Sequence, residues 1–162
     1  MKILNLLSAL EKIELEMSGL YEWLSGVFKD DTEASGLFFR MAMQEKSHAN
    51  LLRYGKKLVH QAPSDFGEVE FDSGAIDELI DAIRTAREAA QPPTLEGAIL
   101  MALQFEDNPA ETAHRSILTS SNPGVTAVIN NLASADEEHL NGLRDFARSR
   151  GLVMDETAST AS

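Results

Sequence analysis

Six polar residues occupy core-facing positions of four long helical patterns. They are Glu14 in the first, Glu45 and His48 in the second, Glu106 in the third, and Asp136 and His139 in the fourth. In the first segment Ile3, Leu7, Leu10, Met17, Leu24 and Phe28 recur in steps of three and four, and Glu14 and Tyr21 complete that stripe. The second stripe reads Phe38, Met41, Glu45, His48, Leu52 and Val59. A Glu and a His three residues apart lie about 60° apart around a helix, so both face the partner helices. The third stripe reads Ile99, Ala102, Leu103, Glu106, Ala110, Ala113 and Ile117; the fourth reads Val125, Ile129, Leu132, Asp136, His139, Leu143 and Phe146. Four carboxylates and two imidazoles are costly to bury unless something cationic sits among them. The pattern therefore points to an all-α bundle built around a two-metal carboxylate site.

An internal repeat argues against coincidence. From Glu14 to Glu106 is 92 residues, while from Glu45 to Asp136, and again from His48 to His139, is 91. The chain thus reads as two similar helical hairpins. In this register Glu11 maps to Leu103 and Glu16 to Asn108, so Glu14 alone among its neighbours has an acidic mate. Glu11 and Glu16 are expected to be ordinary solvated charges. Helices are predicted over 2–29, 31–61, 95–120 and 123–150, which puts each ligand-bearing acid near its helix midpoint and all four at one height. Asp30 with Glu33 reads as a capping box, Thr94 as the N-cap of the third helix, Asn122–Pro123 as the start of the fourth, and Gly151 as its stop.

The order Glu, Glu-x-x-His, Glu, acid-x-x-His on four helices resembles the ferritin-like di-iron carboxylate proteins. The strings MAMQEKSHANLL and LASADEEHLNGL resemble the rubrerythrin branch most. The resemblance covers nearly the whole chain. It implies a ferritin-like four-helix bundle over residues 1–151, made of two helical hairpins joined by a long crossover at about 62–94. Within the crossover, Ser73 to Ala90 has its own helical pattern in Ile76, Leu79, Ile80 and Ile83, and is expected to pack as an extra helix. Residues 152–162 are small and polar and are expected to form a disordered tail.

By the same resemblance, Glu45 and Asp136 bridge two metals, Glu14 and Glu106 bind at the ends, and His48 and His139 take one metal each. The implied function is reduction of peroxide or dioxygen by a di-iron oxidoreductase. The alternatives are a ferroxidase or iron-handling protein, or a bundle that has lost its metal. Oxygen-rich ligands with two imidazoles suit iron, with manganese or zinc as alternatives. Two divalent ions would balance the four carboxylates. Tyr21, on the face of Glu14, is a candidate to hydrogen-bond a ligand or pass an electron. Two positions depart from the family: Asp136 is one methylene shorter than the usual Glu, and Pro109 stands where rubrerythrins tend to carry a second glutamate. A kink is expected at Pro109, whose ring clashes with the carbonyl of Phe105.

The remaining features set bounds. Lys and Arg total 14 against 26 Asp and Glu, a formal charge of −12, which argues against a nucleic-acid or anionic-membrane partner. MKILNLLSAL is too short for a secretory signal and no stretch approaches a transmembrane span, so a cytoplasmic location is the default. A homo-oligomer is the expected assembly. The chain has no cysteine, whereas many rubrerythrins add a cysteine-ligated iron domain that passes electrons. Reductive turnover here would need a separate electron donor. His60, near a helix end, and His114, off the ligand stripe, read as structural; Trp23, Tyr54, Met41, Met43 and Met101 read as packing residues.

Overall fold

The computed structural model describes residues 2–66, 68–110 and 123–152, and its regular elements are all helical. Helix α1 (Lys2–Val27) and helix α2 (Thr32–Gln61) form an antiparallel hairpin packed along its length. Ser18 Oγ donates to the Ala42 carbonyl at 2.9 Å, and Ser25 to that of Ser35 at 3.0 Å. All the apolar residues of the predicted first stripe are buried except Phe28, which is half-buried. Leu6, Ile13 and Leu20 are buried as well. That wider stripe arises because α1 is covered twice, by α2 and by helix α3 (Ser73–Arg87).

Helix α3 lies in the crossover and buries the four apolar residues of its pattern, Ile76, Leu79, Ile80 and Ile83. Arg84 and Arg87 reach from its last turn to Glu16 on α1. Gly19 makes room for the Arg87 guanidinium, which a Cβ at that position would strike. Glu16 is therefore a half-buried anchor for the crossover and not a solvated charge. Glu11 departs further from expectation: it is 8% exposed and is held by Arg53 and Lys56 of α2. Burial works to raise its pKa, but those two cations outweigh it and hold the carboxyl below the usual range.

Helix α4 (Leu95–Glu106) begins as predicted, with the Thr94 hydroxyl accepting from Gly97 N at 3.1 Å. Its end is a correction. In place of a kinked helix running to 120, α4 stops at Glu106, and helical backbone resumes at residues 109–110. Asn108 N bonds back to the Phe105 carbonyl at 3.2 Å, while the Asn108 side chain accepts from Ala110 N at 2.9 Å. The break arises because proline suits a first turn better than an interior, and Asn108 caps the new turn. Glu106 is consequently the last residue of α4, not its midpoint. The rest of the expected helix, with Ala113, His114 and Ile117, lies outside the described residues, as do Asn122 and the tail from 153.

Helix α5 (Pro123–Ser149) packs on α2 and α4. Its C-terminal turn closes at Gly151, two residues past the helix, whose φ of 65° suits glycine, and Leu152 N returns to the Ala147 carbonyl at 3.0 Å. Arg150 then bonds Asp31 at 2.5 Å in the turn between α1 and α2 and covers the Phe146 ring. Asp31, not Asp30, caps α2, accepting from Ala34 N at 3.1 Å. Among the described residues no helix is long and apolar enough to cross a membrane.

Candidate metal centre

Four helices deliver the six polar residues to one place. From α1 and α2 come Glu14, Glu45 and His48, each no more than 5% exposed. Helix α5 supplies His139, 3% exposed, and Asp136, half-buried at its midpoint; the last residue of α4 supplies Glu106, whose side chain is 6% exposed. His48 Nδ1 is 2.8 Å from Glu45 Oε2 and 3.5 Å from Glu14 Oε2. Across the bundle His139 Nδ1 is 3.1 Å from Glu45 Oε1 and 3.5 Å from Glu106 Oε1. The two imidazoles stack with centroids 5.2 Å apart.

Two groups of ligand atoms each fall within 4.8 Å of one another: Glu45, His48 and His139, and Glu106, Asp136 and His139. Glu14 joins through its contacts with His48 and Glu45. His139 lies within reach of both groups, so the expected division of one imidazole per metal is less even than the repeat implies. Tyr21, fully buried and stacked on Phe38, donates its hydroxyl to Glu106 Oε1 at 2.5 Å. That bond joins the first hairpin to the end of α4.

Electrostatics show how far this cluster is from an ordinary core. Burial, the nearby Glu106 charge and the adjoining Glu14 carboxyl push the Glu45 pKa well above the usual carboxylate value, against the opposing effect of His139. Burial would lower the pKa of His139, but Glu106 and Glu45 outweigh it and raise it to about 9. Both ring nitrogens of His139 are nevertheless buried without a hydrogen-bond partner among the described residues, Nδ1 meeting the two carboxylates only as an ion pair. A buried imidazole without such a partner is costly. A donor set of carboxylates and imidazoles around it matches what a hard or borderline divalent cation coordinates. The residues present therefore fit a metal.

Pro109 contributes no donor and is exposed. Met41 is buried in the core, in keeping with a packing role, whereas Tyr54 is 54% exposed. Comparison of the chain with family models, with curated proteins and with solved structures found no match.

Proposed function

We propose that this chain is a ferritin-like protein that holds two metal ions, iron by preference, between its hairpins and acts as a rubrerythrin-like oxidoreductase on peroxide or dioxygen. The observation that carries the reading is the pair of ligand groups meeting at His139, a buried imidazole with no hydrogen-bond partner. The order of the described helices, one hairpin, a crossover with its own helix, then α4 and α5, supports a ferritin-like topology.

Glu14, Glu45 and His48 would hold one ion, and Glu106, Asp136 and His139 the other. Iron bound there would supply the electrons that reduce an oxygen substrate. The chain's own part is positional. Tyr21 orients the Glu106 carboxylate through its hydroxyl. Leu10, Met17, Phe38, Met41 and Leu132, all buried and on the same helical stripes as the polar residues, would hold water away from the ligands. With no cysteine in the chain, electrons would arrive from a separate donor protein or a small reductant.

Pro109 favours a second reading beside the first. Where rubrerythrins tend to offer another carboxylate, this chain has a helix break. Dioxygen oxidation of ferrous iron, a ferroxidase activity, is then expected to compete with peroxide reduction. Anaerobic iron reconstitution followed by elemental analysis tests the metal reading: about two ions per chain are expected. The double variant Glu45→Ala with His48→Ala should lose them. Reproducible absence of bound metal from the parent chain would falsify the proposal. Stopped-flow mixing of the ferrous protein with each oxidant separates the two activities.

A further inference from the structure

Among the described residues the exposed large apolar side chains are Leu15, Phe39 and Tyr54, all on the α1–α2 hairpin. Tyr54 lies nine residues from Glu45, half a revolution of the helix, so it points directly away from the polar centre. Its surroundings are basic. Helix α2 carries Arg40, Lys46, Arg53, Lys56 and Lys57 against two carboxylates of its own, Glu33 and the buried Glu45; Lys46 pairs with Glu22 and Arg53 and Lys56 share Glu11, both on α1, which still leaves this face an excess of cations.

The opposite character appears on α3. A cleft of about 270 Å³ opens between α3 and the break after α4, floored by Leu79, Ala82, Phe105 and Pro109 and edged by Glu78 and Asn108. The outward residues of α3 around it, Asp77, Glu78 and Asp81, are exposed acids, while its two arginines are turned inward onto Glu16. One face thus offers an aromatic ring set among cations, and the other an apolar cleft set among carboxylates.

We infer that the chain associates head to tail with a second copy, Tyr54 entering this cleft and Lys57 facing Glu78. A tyrosine suits such a cleft because its ring is apolar and its tip can hydrogen-bond, as Asn108 at the rim allows. Two identical basic faces would repel, so the charges disfavour a symmetric contact through α2 and favour this asymmetric one. Contacts between unlike patches close into rings or run on as filaments. The inference stands apart from the metal reading.

Sedimentation velocity over a range of concentrations, with metal-free and iron-loaded protein, tests it. Self-association that weakens with salt is expected. Tyr54→Ser should weaken it by about thirtyfold, the loss typical of an aromatic anchor, whereas Phe39→Ser should not. Lys57→Glu and Glu78→Lys should each prevent association alone, and mixing the two should restore it. All four positions are exposed, and unchanged melting temperatures would verify that these variants fold. A monomer at every concentration, an effect of Phe39→Ser without one of Tyr54→Ser, or failure of the mixture to associate overturns the inference.

Discussion

Tyr21 couples the first hairpin to the end of α4 by a hydrogen bond inside the core. Tyr21→Phe keeps the ring packing on Phe38 and removes only the donor, so metal-free protein should lose about 1–3 kcal/mol in denaturant melts. Iron affinity should fall as well, because Glu106 loses its orientation. His139 and Glu45 set a pH dependence of one sign. The folded-state pKa of His139, about 9, lies above its ordinary 6.5, so its contribution to stability is complete below about 6.5 and is lost as pH rises through 9. Glu45, also raised, is likewise favoured in its protonated form. Chelated protein should therefore melt at lower temperature as pH rises from 6.5 to 9, while iron affinity should rise, since binding displaces those protons. Calorimetry with and without iron across that range checks both. At this scale the stripe made the six candidates legible, because a polar residue on a buried face stands out against its period. It could not reveal that Glu11 is buried: the cations holding it, Arg53 and Lys56, arrive from another helix, and a one-helix pattern contains no such partner. Tyr54 misled in the opposite way, an aromatic that reads as core and lies outside it.

Helix α3 is held by four aliphatic side chains and two arginines, and the two kinds of contact are separable. Ile80→Ala should cost about 2–5 kcal/mol, as deletion of a large aliphatic from a packed core does. Glu16→Gln should instead leave global stability nearly intact and speed amide exchange in the last turn of α3, where Arg84 and Arg87 lose their acceptor. Equal exchange in parent and variant would show that the aliphatic face alone seats the helix. Its apolar spacing was complete in the sequence, which explains why its start and buried face were legible, while its end falls at Arg87 and not at Ala90. The end of α4 was not. Proline announces a disturbance but not its kind, and the outcome here depends on Asn108 offering its side chain to Ala110 N. Pro109→Ala with Asn108→Ala should let α4 continue, raising helical circular dichroism and shifting Glu106 relative to His139, with weaker iron binding as the readout.

Considered whole, the molecule gathers acidic groups that repel one another in its core. Iron-loaded protein should melt above metal-free protein, and Glu45→Ala with His48→Ala should abolish the difference. Equal melting temperatures in the parent chain would count against these residues forming a site. The offset of 91 and 92 residues made it legible that residues far apart in the chain would meet, as Glu45 and His139 do. How α5 is fastened was not, because the bond from Arg150 to Asp31 spans 119 residues and leaves no local trace. That span has a consequence for the order of assembly. Helices α1 and α2 meet across a short turn and form contacts of low sequence separation, whereas α5 must close the longest loop in the fold before it docks. Glu14, Glu45 and His48 are therefore in place early, and a chain emerging from the ribosome would carry half of the polar cluster, open on one side, well before His139 is synthesised.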